Sequence, residues 1–472
     1  MRIIIFLIFI LTINASYGQT EKTENKIITE KFVKNYNLNK YDEIFSMFSS
    51  QMKEYLPKDK NKTFLTGLKS QLGKIKNYQF LKSEDGGYAS YKAIFENAVF
   101  TLNIAIDNNS KINGLLVKPF VEENNSENVI NNLSTKNGLI TKEQSKVIFE
   151  NTKVFPNHTQ ISIALIKDGK VSYFGIKKEN DTVLTIDNHK SVFEIGSISK
   201  VFTSTLLANF VIDGKIKLNQ NINDLLELSF NNNTKISFTS LANHTSGLPR
   251  LPSNLDLTRV NPENPYKEYT EQKIIEYLTK FIKVSNKEEY QYSNLGAGLL
   301  GYTLSKIENT TYENLLQSKI FSKFNMNNST SEINKIKGNL AKGLNNEGNE
   351  IPNWEFSVLA GAGGILSTVE DMSNFALAQF DCSNKDLKLT RKKTIKINEN
   401  MDIGLGWHIL KSQSKNFWYW HNGGTGGYSS SMAIDDKTKN GIVILSNVSA
   451  FNPNMKNIDN LCFELMKTLG KK

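Results

Sequence analysis

A polar stretch at residues 121–138 divides the chain into two segments with different hydrophobic patterns. It reads VEENNSENVINNLSTKNG, and its abundance of Asn, Ser and Glu is typical of a linker. A chain of 472 residues is long enough for two or three domains. The sequence therefore predicts a linker over residues 121–140, with a small domain over 20–120 and a larger domain over 141–472.

The segment before the linker is predicted to be a small α+β domain. Apolar residues recur at helical spacing over residues 20–55 and again over 64–75. Strand-like alternation follows and indicates an antiparallel meander that ends near Phe120. This order of elements resembles the nuclear-transport-factor-2-like (NTF2-like) accessory domains of exported bacterial proteins.

The first residues of the chain indicate export. Arg2 is followed by an apolar stretch from Ile3 to Ile13 and then by small residues before Gln19. A membrane-spanning helix needs about 20 apolar residues, whereas the core of a signal peptide is shorter. We expect a signal peptide at residues 1–18 and an exported protein, periplasmic or secreted, with no membrane span after cleavage. The alternative is an uncleaved N-terminal anchor.

The composition argues against a nucleic-acid partner and against a metal site. The formal net charge is +10, but the basic residues are nearly all lysines scattered among asparagines. Nucleic-acid-binding surfaces use clustered charge and arginine forks. The two cysteines are too few for a disulfide framework, and the five histidines form no short ligand pair. We therefore expect no nucleic acid, no metal and no cofactor.

Ser197 and Lys200 lie in the stretch FEIGSISKVFTSTLL (193–207), at the start of an apolar helix predicted from Val201 to Ile212. Residues at i and i+3 share one face of a helix, so the two side chains can meet. The N–H groups at a helix N-terminus stabilise negative charge, and a lysine in a dry pocket can act as a base. The same pattern also fits an N-cap serine followed by a solvated lysine, so other motifs must decide between a catalytic pair and a helix cap.

Two later stretches complete a pattern. EYQYSNLGAGLLG places Tyr292-Ser293-Asn294 before an apolar helix, and WYWHNGGTGGYSSS places His421-Asn422-Gly423-Gly424 at the end of an aromatic strand. Together with Ser197-x-x-Lys200 they resemble the three signatures of the serine penicillin-recognising enzymes. Three further segments are similar to the class C β-lactamase-like branch, which includes D-alanyl-D-alanine carboxypeptidases: LANHTSGLP (241–249), AGAGGILSTVEDMSNFA (360–376) and GLGW (404–407).

The resemblance covers residues 141–472 and implies an α+β fold of the β-lactamase/transpeptidase type, with an antiparallel sheet flanked by helices and a helical lobe. It implies that Ser197 is the acylated nucleophile, Lys200 its proton partner and Tyr292 the phenol that passes the proton to the leaving group. Asn294 would orient Lys200 and the substrate. The backbone N–H groups of Ser197 and Gly424 would form the oxyanion hole.

His421 departs from the class C β-lactamases, which have a lysine at this position. The resemblance implies that His421, Asn422, Gly423 and Gly424 bind substrate. If His421 helps to hold a substrate carboxylate, its protonated form should bind better, so the KM of a carboxylate substrate should rise between about pH 5.5 and 7.5, around the ordinary histidine pKa of about 6.5. If His421 does not hold the carboxylate, Arg250, which directly follows LANHTSGLP, is the next candidate. His244 and Asp371 are expected to be structural.

The sequence therefore predicts an exported serine hydrolase that cleaves amide or ester bonds through an acyl-enzyme. Its predicted substrates are small peptides or esters, most of all D-alanyl peptides derived from peptidoglycan. Two alternatives stay open. One is a promiscuous esterase or weak β-lactamase, and the other is a catalytically silent sensor that binds peptidoglycan fragments.

Overall fold

The computed structural model describes residues 21–84, 87–120, 128–135, 138–256, 259–285, 289–336, 338–411 and 416–470. The predicted signal peptide and the first part of the predicted linker lie outside these residues. The chain divides into two compact units between Glu122 and Glu123. Within the described ranges, every helix is too short or too polar to cross a membrane.

In its described residues, the N-terminal unit has four helices followed by four strands. They are α1 Thr23–Asn37, α2 Tyr41–Ser46, α3 Ser50–Tyr55, α4 Lys58–Leu72, β1 Ile75–Glu84, β2 Tyr88–Phe95, β3 Val99–Ile106 and β4 Ile112–Pro119. Neighbouring strands pair antiparallel in chain order. Helix residues such as Phe32 and Ile44 pack with Tyr91 and Leu102 of the sheet in one core. The predicted α+β meander is therefore confirmed, although the helix predicted over 64–75 already begins at Lys58.

The second unit, over the residues that the structure describes, is built on a sheet of ten strands. In spatial order they are β13 Ile395–Lys396, β14 Met401–Ile403, β15 His408–Lys411, β16 Phe417–Gly424, β17 Ser429–Asp435, β18 Asn440–Ser446, β6 Gln160–Lys167, β7 Lys170–Glu179, β8 Thr182–Ile186 and β5 Ile130–Asn132. All pairs are antiparallel except β5 with β8. Because β5 lies inside the predicted linker, that polar stretch contributes an edge strand of the sheet.

Helices cover both faces of this sheet. One face carries α5 Lys142–Thr152 and α14 Lys456–Leu469, and the other carries the helical lobe. Strand alternation explains the division, because Ile163 and Leu165 of β6 pack toward α5 and α14 whereas Ala164 and Ile166 pack toward the lobe. The remaining α-helices are α6 Ser199–Ile212, α7 Asn223–Leu226, α8 Phe238–Ala242, α9 Glu271–Glu276, α10 Asn294–Ile307, α11 Tyr312–Leu316, α12 Val369–Ala378 and α13 Lys385–Thr390.

Short elements complete the unit and connect the lobe to the sheet. Strand β9 Phe193–Glu194 pairs with β12 Leu366–Ser367, and β10 Gly343–Leu344 pairs with β11 Glu350–Ile351. Helix α6 is buried on all sides, since every residue from Ser199 to Phe210 is shielded from solvent. The predicted fold class is confirmed. The buried helix α6 carries Lys200 in its first turn and directly follows Ser197, the first residue of the predicted site.

Candidate active site

Ser197 lies in a 3-10 turn, Gly196–Ile198, that runs directly into α6. Gly196 has φ of +51°, in the left-handed region that glycine adopts with little strain. A Cβ on Gly196 would lie 2.5 Å from the backbone nitrogen of Gly424, so the site has no space for a side chain either. The turn that carries Ser197 is therefore in direct contact with the end of β16.

Lys200 lies one turn along from Ser197 and has two polar contacts. Its Nζ is 2.9 Å from Ser197 Oγ and donates to the Ala362 carbonyl at 2.7 Å. The residue is only 2% exposed. Burial withdraws the ammonium from water and holds the pKa of Lys200 well below its usual range, and the charge of Arg250 lowers this pKa further. A neutral amine at this distance can accept the Ser197 proton, as a general base must.

Tyr292 is partly exposed and lies beside both residues. Lys200 Nζ is 4.9 Å from the centroid of its ring, and the ring of His244 is 4.5 Å away, measured between centroids. Desolvation in the pocket raises the pKa of the Tyr292 phenol, while a hydrogen bond with Ser197 and the charge of Arg250 oppose the rise. A phenol that keeps its proton beside the nucleophile can donate that proton to a leaving group.

The end of β16 brings two backbone N–H groups together. A Cβ on Gly423 would lie 2.9 Å from the Ser197 nitrogen and would overlap the Ile195 carbonyl. Ser430 Oγ of β17 donates to the same carbonyl at 2.8 Å and fixes the turn against the sheet. The N–H groups of Ser197 and Gly424 therefore lie close to each other. Each donor aimed at a developing oxyanion is worth about 3–4 kcal/mol.

Successive residues of β16 face opposite sides of the sheet. His421 is buried on the side of Ser197, with its ring 6.4 Å from that of Tyr292 between centroids. Asn422 Nδ2 donates to Asp459 Oδ2 of α14 at 2.7 Å. The Asn422 side chain, which was predicted to bind substrate, instead ties β16 to the C-terminal helix on the opposite face.

His421 is neutral at physiological pH. Burial holds its pKa well below the usual range, and the charges of His408 and Lys200 lower it further. Nδ1 lies 2.6 Å from the Asn422 carbonyl, so the neutral ring donates from Nδ1. Nε2 is then a buried acceptor that has no partner among the described residues. A titration between about pH 5.5 and 7.5 does not fit this lowered pKa, whereas substrate binding by His421 stays a prediction.

Asn294 begins α10, and its side chain does not contact Lys200 through a hydrogen bond. Its Nδ2 lies 3.5 Å from Tyr266 Oη, and its Oδ1 has no partner among the described residues. Lys200 Nζ instead donates to the carbonyl of Ala362. The only sequence signal for this contact is the glycine-rich stretch GAGG (361–364), which permits close backbone approach.

Tyr290 and His408 adjoin the site although the sequence did not predict them as part of it. Tyr290 Oη and His408 Nε2 are 3.1 Å apart, and the ring of His408 is 5.2 Å from that of His421 between centroids. Burial lowers the pKa of His408 to about 4 and raises that of Tyr290 to about 12. Among the described residues, these rings form no cluster that could hold a metal. No motif marks either residue, because the loop before α10 and strand β15, which are far apart in sequence, bring them together.

His244 and Asp371, which were predicted to be structural, fix a turn and the start of a helix. His244 has φ of +62°, and its Nδ1 accepts from the Ser293 N–H at 3.2 Å. Asp371 accepts at 2.7 Å from the Asn328 N–H and from Ser329 Oγ, at the start of α12. Both contacts satisfy polar groups inside the unit and leave Ser197 untouched.

Comparison with known proteins identifies related sequences for both units. A family model described as Beta-lactamase matches residues 155–461. A second model, described as a protein of unknown function (DUF3887), matches residues 29–115 and fits the small domain that was predicted to be NTF2-like.

Individual relatives and a solved structure agree with the first match. Beta-lactamase-like protein 2 of Dictyostelium discoideum is 31% identical over 57% of this chain and 51% of its own length. A beta-lactamase of Escherichia coli K12 is 25% identical over 62% of this chain and 85% of its own length. The chain spans about half the length of beta-lactamase-like proteins 2 and 4 of Dictyostelium. The octameric penicillin-binding protein homologue from Pyrococcus abyssi has a similar fold, with a TM-score of 0.57, 22% identity and coverage of 70% of this chain and 77% of that one.

Proposed function

The chain belongs to the β-lactamase family, and on this premise we propose that it is a serine hydrolase that acts through an acyl-enzyme on Ser197. The observation that carries the proposal is the 2.9 Å contact between Ser197 Oγ and the buried Lys200 Nζ. A serine that merely caps a helix has no need of a desolvated lysine at this distance. The contact supports an active hydrolase over a catalytically silent sensor.

The residues of the site suit both half-reactions of acyl transfer. Lys200 takes the Ser197 proton as Oγ attacks the carbonyl carbon, and the N–H groups of Ser197 and Gly424 stabilise the oxyanion. Tyr292 gives its proton to the departing amine or alkoxide and is reprotonated from Lys200. Water then attacks the acyl-enzyme with the proton transfers reversed, which releases the acid and restores Ser197.

We extend this proposal to the substrate and to the location of the protein. D-alanyl peptides of cell-wall origin are the proposed substrates, and the N-terminal sequence supports export to the place where such peptides occur. The neutral His421 supports a peptidase over an efficient β-lactamase, because it offers no fixed cation to a β-lactam carboxylate. The test is a panel of a D-Ala-D-Ala peptide, a chromogenic cephalosporin and short p-nitrophenyl esters. Higher kcat/KM for the cephalosporin than for the peptide would favour the β-lactamase alternative.

Covalent labelling tests the nucleophile directly. A fluorophosphonate probe should modify Ser197, with the modified residue located by mass spectrometry, and Ser197→Ala should abolish both labelling and hydrolysis. Ser204→Ala is the matched control, since it removes another buried hydroxyl from α6 and should still be labelled. A folded Ser197→Ala variant that keeps more than a tenth of the wild-type turnover would refute the assignment.

A further inference from the structure

Arg250 differs from the other arginines that the structure describes. Arg259 pairs with Asp256 at 3.2 Å, and the buried Arg391 pairs with Asp436 at 3.5 Å. Arg250 is exposed, and no carboxylate of the described residues lies within ion-pair distance of its guanidinium. Its charge is therefore available to a ligand.

The backbone holds Arg250 in a fixed position beside Tyr292. Its carbonyl accepts from the N–H groups of Asn294 and Leu295, each at 3.1 Å, and so satisfies the start of α10. The preceding Pro249 carbonyl accepts from Ser293 Oγ at 2.7 Å. The guanidinium lies 5.4 Å from the centroid of the Tyr292 ring, measured from Cζ. Only its side chain is free to adjust to a ligand.

Arg250 supplies a permanent positive charge to a site whose other basic groups are neutral. Burial lowers the pKa of Lys200, His244 and His421 well below the usual ranges. The charge of Arg250 lowers the pKa values of Lys200, His244 and Tyr292, so its field acts on the reacting groups. Arginine stays charged throughout the pH range in which these groups are neutral.

We propose that Arg250 binds a carboxylate on the leaving-group side of the scissile bond and so selects substrates that carry a negative charge there. Under the proposed function, on which this inference rests, Tyr292 delivers the proton to the leaving group. The position of Tyr292 therefore identifies the leaving-group side of the site. The guanidinium over its ring can bind a carboxylate through two parallel N–H donors. Arg250 thereby takes the carboxylate-binding role for which the sequence offers it as the alternative to His421.

A matched pair of substrates isolates the charge contact. The pair is an acyl-D-alanyl-D-alanine with a free C-terminal carboxylate and the same peptide as its C-terminal amide. Removing Arg250 also removes its effect on Lys200, but both substrates use the same lysine, so the ratio of their kcat/KM values cancels that effect. In Arg250→Ala the preference for the carboxylate should fall about 10–100-fold, mainly through KM. Arg259→Ala, a charge deletion on the same loop, should change the ratio less than twofold.

Charge reversal and equilibrium binding complete the test. Arg250→Glu should prefer a peptide whose C-terminal group carries an amine in place of the carboxylate. In a Ser197→Ala background, calorimetry should show the same carboxylate preference in Kd, and its loss on adding Arg250→Ala. This measurement needs no turnover, so it separates a failure of this inference from a failure of the proposed hydrolysis. An unchanged ratio in Arg250→Ala, or no binding of either peptide to Ser197→Ala, would overturn the assignment.

Discussion

Two opposing effects act on the ammonium group of Lys200. The Ala362 carbonyl at 2.7 Å favours the charged form, whereas burial of the whole side chain and the nearby charge of Arg250 favour the neutral amine. A fully buried lysine can lose several pKa units to desolvation, which exceeds the effect of one neutral acceptor. Burial therefore prevails and holds the pKa of Lys200 well below its usual range, as the proposed general base requires.

The pH profile of ester hydrolysis should report this shift. Protonated Lys200 cannot accept the Ser197 proton, so activity is present above the Lys200 pKa and lost below it. For an uncharged p-nitrophenyl ester, kcat/KM corrected for spontaneous hydrolysis should show no further rise between about pH 9 and 10.5, where an ordinary lysine titrates. Lys200→Ala should be nearly as inactive as Ser197→Ala, since residues of one catalytic unit fail together. A rise centred near the ordinary lysine pKa would show that the amine is charged at neutral pH.

Removing the phenol oxygen of Tyr292 should slow acylation. Tyr292→Phe keeps the ring under Arg250 and deletes only the proton donor, so the rate should fall about 10²–10⁴-fold. Tyr290→Phe is the matched control, because that hydroxyl is bonded to His408 and not to Ser197. Single-turnover kinetics of both variants measure the effect. Equal losses in the two variants, or a Tyr292→Phe effect below threefold, would exclude the proposed proton transfer.

At the scale of elements, β16 has different tasks on its two faces. His421 and Gly423 face the site, whereas Asn422 binds Asp459 of α14. Asn422→Ala should lower the unfolding free energy in urea by about 1–3 kcal/mol, because it leaves the half-buried Asp459 carboxylate without its Asn422 donor. The KM for small esters should stay within threefold of the wild-type value. A large rise in KM without loss of stability would instead assign the side chain to substrate binding.

Strand β9 places a buried carboxyl group close to the nucleophile. Glu194 Oε1 accepts from Asn353 Nδ2 at 2.7 Å and from the Trp354 N–H at 2.9 Å, while burial raises the Glu194 pKa to about 7. As pH rises, the Glu194 carboxyl ionises in the unfolded chain before it ionises in the folded protein. The folded state therefore loses stability progressively between about pH 4.5 and 7.

Glu194→Gln should remove that pH dependence. The unfolding free energies of Glu194→Gln and wild type are measured in urea at pH 4.5 and at pH 8. The difference between them should shift by about 3 kcal/mol in favour of the variant from the lower to the higher pH. Glu332→Gln, on the exposed side chain that pairs with Lys335, should give no such change. A difference between wild type and Glu194→Gln that is constant with pH would show that Glu194 ionises normally.

Local patterns were predictable from the sequence, and contacts between distant segments were not. The meander predicted before Phe120 and the helix predicted from Val201 to Ile212 depend on neighbouring residues, and both occur as expected. Strand β5 was missed because its asparagines resemble those of a linker, and it is held only by pairing with β8. The neutral state of His421 depends on burial by residues far along the chain, which a motif does not encode.

At the scale of the whole molecule, each unit closes its own hydrophobic core. The core of the N-terminal unit uses residues up to Val117, and both cores of the second unit begin after the division, with Val129 and Leu133 packed at the edge of one of them. Among the described residues, the hydrogen bonds that hold Lys200 are made to Ser197 and Ala362, both in the second unit.

Two truncated chains test this independence. A chain that starts at Glu123 should fold and hydrolyse short p-nitrophenyl esters within about threefold of the full-length rate. A chain that starts at residue 135 also loses β5 and the packing of Val129 and Leu133, so its Tm should be lower by several degrees. Esterase assays and circular dichroism on both chains provide the comparison. A folded but inactive chain from Glu123 would show that the first unit contributes to the reaction.

The pairing of β6 with β18 also has a consequence for biosynthesis. Ala164 lies opposite Val443 in the middle of the sheet, and the whole helical lobe is encoded between them. A ribosome must therefore synthesise the whole lobe and β18 before the central strands can meet, and β16 acquires its anchor on α14 only after that helix emerges. The nascent chain holds Ser197 and Lys200 long before β16 can be placed beside them, so this part of the site can assemble only after β18 and α14 have been synthesised.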